Sequence, residues 1–345
     1  MKRTLVTGGN GFIGQYLVMA LLRRGHRVRI LDVRPPGRAL SEAQFLKGSI
    51  LDPAKVREAV KDVDEVYHLA PLPGMWMRQK DDFHAVNCRG TEVVIAAVRE
   101  SQVKRLLHCS TESIFFRRSM VECFVTEQVC TTIDEMPGAY TRSKLAAEQL
   151  ALEAAASGLP VVIANPTMPI GVSRSFTPPT LMLQYFVGRR VQFYLDFVLN
   201  LVDVRDVAAG LVLAMQRGRI GQRYVLGGEN FTLKKLLALI AVMSGHRAMC
   251  IPVSAGIAQI AAATVECIAD HLTHQAPSAT VEGVRIALWS KPVSIEKSRL
   301  ELGYTPGSIR QALEAVVSSI LVDRLKGQSA ECIPLQVHSR HGADK

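Results

Sequence analysis

The first fourteen residues constrain the fold most, because they join an apolar strand to a glycine-rich turn. Residues 1–7 have the apolar content of a short buried strand, and Gly8, Gly11 and Gly14 follow at G-x-x-G-x-x-G spacing. The first glycine allows a sharp turn, the second lets backbone N–H groups approach a ligand, and the third lets the next helix pack close to the sheet. The pattern predicts a strand–turn–helix unit whose helix N-terminus binds the pyrophosphate of a dinucleotide.

An acidic residue follows at the spacing expected for ribose binding. The next predicted strand, 28–31, ends in Asp32, where a carboxylate can accept a hydrogen bond from a ribose 2′-hydroxyl. The same carboxylate would repel a 2′-phosphate, so the sequence favours NAD over NADP. Arg34 and Arg38 are close in sequence and could pair with a 2′-phosphate, which keeps NADP as the alternative.

Strand and helix patterns alternate through the first half of the chain, which predicts an α/β fold with a doubly wound parallel sheet of the Rossmann type. The alternation loosens after Gly171, where prolines mark an insertion on the substrate side. We therefore predict an NAD(P)-binding Rossmann domain over 1–171. A smaller, mainly substrate-binding region is predicted over 172–325, with part of it returning to the Rossmann sheet, followed by a disordered polar tail over 326–345.

Two predicted helices carry unusual residues. The helix over 81–100 has a polar Asn87 at its middle, where an ordinary helix does not favour asparagine. The helix over 255–271 is strongly apolar, with isoleucines at 257, 260 and 268. It fits a core helix or a membrane-surface helix; since it lacks a face rich in Lys and Arg, we expect core burial, and peripheral membrane contact is not favoured.

Composition narrows the classes of function. The chain has 345 residues, is 48% hydrophobic, and contains no uninterrupted apolar run near 18 residues and no secretory signal, so we expect a cytoplasmic globular protein. The formal net charge of +10 is spread over short pairs such as Arg23-Arg24, so nucleic-acid binding is not expected. The seven cysteines form no C-x-x-C pair, which predicts reduced thiols and no metal site.

Candidate catalytic residues fall at the edge where the dinucleotide is expected. Tyr140 and Lys144 are four residues apart at the start of a predicted helix and so share one face. An ammonium beside a phenol would stabilise the phenolate and lower the pKa of the tyrosine. Thr111 ends the fifth predicted strand, where its hydroxyl could hold a substrate oxygen against Tyr140. The nearby His68 and Cys109 are expected to be structural.

These features together resemble an extended short-chain dehydrogenase/reductase. The resemblance extends to about residue 320 and rests on Thr7–Gly14, Asn87 in N-x-x-G-T, Ser110-Thr111 and Tyr140-x-x-x-Lys144. Within that superfamily, 158–167, 200–210 and 221–230 resemble the hopanoid-associated sugar epimerases, which border on the dihydroflavonol reductases.

The resemblance implies bound NAD(P), a small-molecule substrate bound by the C-terminal region, and a homodimer formed through helices. The cofactor contacts that it implies beyond Gly8, Gly11, Gly14 and Asp32 are Phe12, Ile13, Ser49, Ile50, Leu69, Ala70, Asn87, Tyr140, Lys144 and Pro166.

The chain departs from the superfamily's patterns at three places. Sugar-nucleotide dehydratases carry Thr-Asp-Glu with the Glu as base, whereas this chain has Thr111-Glu112-Ser113, so dehydration is disfavoured. The usual aromatic-Gly pair after it is Phe115-Phe116. The adenine-contacting Asp of the Gly-Asp-Ile run is replaced by Ser49, which predicts weaker adenine contacts.

Three functions follow, in descending order. The first is an NAD(P)-dependent epimerase or oxidoreductase that moves a hydride between a secondary alcohol or ketone and nicotinamide, on a sugar-nucleotide or hopanoid-pathway substrate. The second is a net ketone reductase or alcohol dehydrogenase for an apolar terpenoid-, steroid- or flavonoid-like substrate, suggested by Phe176, Leu181, Met182, Leu183 and Phe186. The last is a non-enzymatic NAD(P)-binding regulator, disfavoured because Tyr140 and Lys144 are both present.

Overall fold

A parallel sheet of seven strands forms the centre of the computed structural model, which describes residues 1–325 except 71, 73, 119, 173–177 and 247. Because helices cover both faces, the strands read as continuous apolar runs. In the described part of the chain the strand order is β10-β6-β5-β4-β1-β2-β3. The strands are β1 (Arg3–Thr7), β2 (Arg27–Asp32), β3 (Gln44–Lys47), β4 (Glu65–His68), β5 (Arg105–Cys109), β6 (Val161–Pro166) and β10 (Arg223–Leu226).

Helices pack on both faces of this sheet. One face carries α1 (Phe12–Arg23) and α7 (Val204–Arg217), and the other carries α2 (Pro53–Val60), α4 (Gly90–Arg99) and α5 (Ala139–Ala156). The chain leaves β1 toward β2 on one side and later returns to form β4 on the other. The carboxyl ends of β1 and β4 therefore border the crevice where open α/β sheets bind ligands. The predicted doubly wound Rossmann architecture is confirmed.

Most of the remaining elements lie outside the central sheet. Two small sheets, β11-β9-β7 and β12-β8, pack with helices around a separate apolar core. The strands are β7 (Met168–Ile170), β8 (Val191–Tyr194), β9 (Val198–Asp203), β11 (Glu229–Thr232) and β12 (Met249–Pro252). The helices around this core are α6 (Pro178–Phe186), α8 (Leu233–Ser244) and α12 (Ile309–Leu325). Helices α9 (Ala255–Ile268) and α10 (Val281–Trp289) pack on each other, and α11 (Glu296–Leu302) packs on α7 and β10. The domain limits at 171 and 325 stay a prediction, and the tail over 326–345 lies outside the described residues.

The predicted core burial of the apolar helix over 255–271 is wrong. Helix α9 buries Ala262 alone of its residues, while Ile257 and Ile260 are 59% and 70% exposed. The helix ends at Ile268 and continues as a π-helical turn, Ala269–Thr273. Its apolar side faces outward because its packing is confined largely to α10. No helix in the described ranges is long and apolar enough to cross a membrane.

The helix predicted over 81–100 is present over 81–99, although not all of its turns are α-helical: α3 (Asp81–Phe83) continues through a π-helical segment, His84–Arg89, into α4. The apolar residues proposed to line a pocket in the 170–200 segment mainly build the core, since Leu183 and Phe186 are buried with residues of α8 and α12. Leu181 is 43% exposed, and Phe176 lies outside the described residues.

Candidate functional site

The glycine-rich turn after β1 forms a cradle with no room for side chains. Gly8 has a φ of +69°, and a Cβ there would lie 2.5 Å from the Leu69 carbonyl oxygen. A Cβ at Gly14 would lie 2.3 Å from the Gly8 oxygen, while the Gly11 N–H donates to that oxygen across 3.0 Å. Leu69 and Ala70 at the end of β4 form the opposite wall. This close backbone approach at a helix N-terminus fits a pyrophosphate.

Asp32 lies beside the cradle with its carboxylate held by backbone N–H groups. It accepts hydrogen bonds of 3.0 Å from Asn10 N–H and from Arg34 N–H and is 8% exposed. Asn10 Oδ1 is buried without a hydrogen-bond partner among the described residues. An oriented carboxylate at this position fits the ribose hydroxyls of a dinucleotide.

Three of the predicted cofactor contacts pack around the cradle and support its shape. Phe12 is buried and packs edge-on against Tyr16, with ring centroids 6.0 Å apart, and Ile13 packs against the core under α1. Ile50 is buried against Gly90, where a Cβ would meet its Cδ1 at 2.4 Å. These residues shape the crevice; direct contact with a cofactor stays a prediction.

Two more predicted contacts lie near strand ends. Ser49 Oγ accepts a hydrogen bond of 3.1 Å from Leu51 N–H, just beyond β3. Pro166 is the last residue of β6 and is buried.

Asn87 links the end of β4 to the helix that carries Tyr140. Its Oδ1 accepts from Leu72 N–H at 2.7 Å, and its Nδ2 donates to Ser143 Oγ at 2.9 Å. Ser143 Oγ in turn donates to the Tyr140 carbonyl oxygen at 2.7 Å. The π-helical segment places Asn87 in the buried position that allows both bonds, and π-helical turns of this kind are frequent at functional sites.

The structure brings Thr111, Tyr140 and Lys144 to one edge. Thr111 follows β5 and is 8% exposed, and its hydroxyl lies close enough to Tyr140 to favour the phenolate and so to lower the pKa of the tyrosine. Lys144 is 2% exposed, and its ammonium donates to the Cys109 carbonyl oxygen across 2.9 Å. The Tyr140 ring packs edge-on against Phe83 at 5.8 Å.

The pKa of Tyr140 is raised overall, and not lowered as its spacing from Lys144 predicts. Burial raises the pKa of Tyr140 well above its ordinary value, and the neighbouring Glu112 carboxylate raises it further. Burial lowers the pKa of Lys144 to about 8. The Lys144 ammonium donates its hydrogen bond to a backbone carbonyl. Because the pKa of Tyr140 is raised, its phenol stays protonated at neutral pH. In this state Tyr140 is a proton donor.

Glu112 is a titratable group at the site for which sequence analysis predicted no catalytic role. Its carboxylate accepts a hydrogen bond of 3.0 Å from Thr111 Oγ1, and burial raises the pKa of Glu112 to about 7. Glu112 follows Thr111 directly in sequence and stands at the Asp position of the Thr-Asp-Glu run. This acidic residue at the second position of the run was the only sequence signal for its role. A carboxyl group that titrates near neutrality beside Tyr140 can alter the tyrosine's proton affinity.

His68 and Cys109 behave as structural groups. His68 bonds to Thr7 Oγ1 at 2.7 Å and to Thr91 Oγ1 at 3.0 Å, and burial lowers its pKa to about 3. Burial raises the pKa of the Cys109 thiol to about 11, which leaves it unreactive at neutral pH.

A cavity of about 340 Å³ lies beside the N-terminus of α5. It is bounded by Ala139, which precedes Tyr140, and by Phe83, which contacts the Tyr140 ring. Its apolar lining is completed by Met75, Trp76, Pro137 and Val281, and its charged lining by Lys80, Arg142, Glu266, Glu282 and Arg285. Trp76 and Glu282 carried no sequence signal, since they come from separate loops and helices that only the tertiary fold brings together.

Comparison with known proteins identifies the family. The family model for the NAD dependent epimerase/dehydratase family matches residues 4–227. A Synechocystis sp. protein named as a dihydroflavonol 4-reductase is 31% identical over 320 residues, covering 90% of this chain and 92% of the relative. Sterol demethylase protein B of Methylococcus capsulatus is 27% identical over 322 residues, covering 91% and 97%. The crystal structure of gox2253 superposes with a TM-score of 0.80 at 30% identity, covering 95% of this chain and 99% of that one.

The glycine cradle, the oriented Asp32 and the Thr111–Tyr140–Lys144 edge lie within the matched residues or their immediate surroundings. The chain therefore belongs to the NAD-dependent epimerase/dehydratase family and is an enzyme of the short-chain dehydrogenase/reductase type.

Proposed function

We propose that this protein is an NAD-preferring ketone reductase, or alcohol dehydrogenase in the reverse direction, for an apolar ring-containing substrate. The observation that carries the proposal is the cavity beside Tyr140, whose apolar wall includes Met75, Trp76 and Phe83. The two named relatives support it, because dihydroflavonols and sterols are both polycyclic molecules with oxygen substituents.

The charges around the cavity argue against a diphosphate-bearing substrate. Lys80 is paired with Glu266 at 3.1 Å and with Asp270 at 3.3 Å. Arg285 donates to the Pro137 carbonyl oxygen at 3.1 Å. Within the described ranges Arg142 is then the cavity cation without a hydrogen bond or ion pair. A diphosphate is usually bound by several cations or backbone N–H groups.

Each catalytic residue has a role that follows from its position. A bound nicotinamide supplies or accepts the hydride. Tyr140, protonated at neutral pH, donates its proton to the substrate oxygen during reduction. Thr111 can orient that oxygen by a hydrogen bond, provided that its hydroxyl turns away from Glu112. Lys144 places a positive charge under this edge of the sheet, which stabilises the phenolate left after proton transfer.

A mutation and two assays test the proposal. Cyclic apolar ketones are incubated with NADH, and NADH consumption is compared between the wild type and Tyr140→Phe. We expect consumption equal to the alcohol formed, a loss of about 100-fold or more in Tyr140→Phe, and unchanged NADH affinity. Near-normal turnover of Tyr140→Phe would refute the role of the tyrosine.

Epimerisation is the second candidate function, and it makes a different prediction for the cofactor. An epimerase returns the hydride to the substrate, so it retains its nucleotide and consumes none. Mass spectrometry of nucleotide released from the denatured protein distinguishes the two: near-stoichiometric NAD together with turnover that leaves NADH constant would favour the epimerase.

We also propose that the protein works as a cytoplasmic homodimer, with residues 1–171 and 172–325 as its two domains. The family resemblance supports dimerisation through helices. Light scattering after size exclusion tests the dimer, and a monomer at micromolar concentration would count against it.

A further inference from the structure

Helix α5, which carries Tyr140 and Lys144, starts without a capping side chain of its own. Its N-cap residue is Gly138, which has no side chain to accept hydrogen bonds from the first helical N–H groups. Helices usually satisfy these groups with Ser, Thr, Asp or Asn at this position. The φ of Gly138 is −168°, an extended value open to any residue, so backbone strain does not explain the glycine.

A carboxylate from the C-terminal part of the chain takes the place of the missing cap. Glu282, in the first turn of α10, accepts hydrogen bonds from Tyr140 N–H at 3.2 Å and Thr141 N–H at 2.7 Å. Its Oε1 also accepts from Thr141 Oγ1 at 2.7 Å, and the residue is 6% exposed. A Cβ at Gly138 would lie 2.3 Å from Glu282 Oε2. A side chain at position 138 would therefore push the Glu282 carboxylate away from the first turn of α5.

We propose that Glu282 is a positioning residue for the reaction. Its carboxylate fixes the first turn of α5 and thereby holds Tyr140 in line with Thr111 and the cofactor crevice. The inference rests on the proposed role of Tyr140 as the proton donor.

The surroundings of Glu282 connect this cap to the substrate cavity. Glu282 lines the cavity together with Lys80, Arg142, Glu266 and Arg285. Glu266 accepts from Val281 N–H at 2.7 Å and pairs with Lys80. One wall of the cavity therefore shares a helix and a hydrogen-bond network with the cap of α5.

The negative charge of Glu282 has a measurable electrostatic consequence. It contributes to raising the pKa of Tyr140, because a carboxylate nearby disfavours the phenolate. Removing the charge while keeping the shape should make the phenolate easier to form. This readout separates positioning at the reactive group from simple support of the fold.

Glu282→Gln tests the proposal, with Glu127→Gln as the matched control. Glu127 is also 6% exposed and accepts from a backbone N–H, that of Val225 at 2.8 Å, but at the far edge strand β10. We expect kcat of Glu282→Gln to fall about 10- to 100-fold, with KM for NADH unchanged. The pH profile of alcohol oxidation should shift to lower pH. Glu127→Gln should retain the wild-type kcat and pH profile.

Gly138→Ala should also remove the cap of α5, because the added methyl group pushes the Glu282 carboxylate away from the first turn of the helix. The charge of Glu282 is unchanged in this variant. The substitution should lower kcat as Glu282→Gln does. The proposal is overturned if folded Glu282→Gln, with a melting curve like that of Glu127→Gln, keeps the wild-type kcat and pH profile. Activity that survives in Tyr140→Phe would instead overturn the proposed function itself.

Discussion

The Thr111 hydroxyl donates a hydrogen bond to the Glu112 carboxylate across 3.0 Å and accepts one from Ser113 N–H across 3.3 Å. A hydroxyl has one proton to donate. Thr111 must therefore release Glu112 before it can donate to a substrate oxygen, or Glu112 must become protonated. The state of Glu112 thus bears on both neighbouring catalytic groups.

Glu112→Gln should shift the pH profile of alcohol oxidation toward lower pH. Oxidation needs the Tyr140 phenolate, and an ionised Glu112 raises the pKa of that tyrosine by charge repulsion. Removing the negative charge lowers the tyrosine pKa, so half-maximal kcat should occur about one pH unit lower. Steady-state oxidation rates across pH measure the shift, and Asp134→Asn, at an exposed position, serves as the control. An unchanged profile would show that Glu112 does not interact with Tyr140 during turnover.

Gly8→Ala should remove nucleotide binding, whereas Gly25→Ala should not. Both glycines have positive φ, +69° and +76°, so each substitution carries a similar backbone strain of about 1–3 kcal/mol. An added Cβ at Gly8 would also lie 2.5 Å from the Leu69 carbonyl oxygen, while at Gly25 it meets open space. Urea unfolding measures the shared loss of stability, and calorimetric titration with NAD measures binding. Equal NAD affinities in the two variants would contradict a cradle at Gly8.

The central fold could be predicted from local sequence because each strand of the parallel sheet is a short apolar run bounded by turn residues. The glycine spacing after β1 and Asp32 after β2 locate the ends of two neighbouring strands. The pair Tyr140 and Lys144 is equally local, since helical periodicity places both on one face.

The parts that could not be predicted depend on contacts distant in sequence. Helix α9 has the composition of a core helix, but nothing local shows that the neighbouring elements leave its isoleucines uncovered. The pKa of Tyr140 follows from burial and from Glu112, which outweigh the pairing with Lys144 expected from spacing. The cap of α5 joins Tyr140 to Glu282, which are 142 positions apart in sequence. Gly138 at the N-cap position is the only feature of the local sequence that is connected with this cap.

Asp32→Ser should change the preference between the two nicotinamide cofactors. The carboxylate accepts two backbone N–H groups beside the ribose site and would repel a 2′-phosphate. Its removal should lower kcat/KM with NADH by about tenfold and raise the NADPH-to-NADH ratio, since Arg34 and Arg38 then face the phosphate unopposed. Adding Arg34→Ala to this variant should reverse the gain with NADPH. An NADPH-to-NADH ratio that stays constant would remove Asp32 from the ribose site.

His68 should make the folded protein sensitive to mild acid. The buried imidazole is held between Thr7 and Thr91 with its pKa lowered to about 3, whereas an unfolded histidine takes up a proton near its ordinary value of 6.5. Between these values the unfolded chain binds more protons, so stability is lost as the pH falls below about 6.5. From pH 7 to pH 5 the loss from this one group is about 2 kcal/mol. Urea unfolding at both pH values measures this loss.

His68→Gln should lose stability at pH 7 but show a smaller loss of stability between pH 7 and pH 5. His84→Gln, at an exposed position, should behave as the wild type. An equally large loss in His68→Gln would assign the acid sensitivity to other groups, of which buried His108, with its pKa also lowered by burial, would be the first to test.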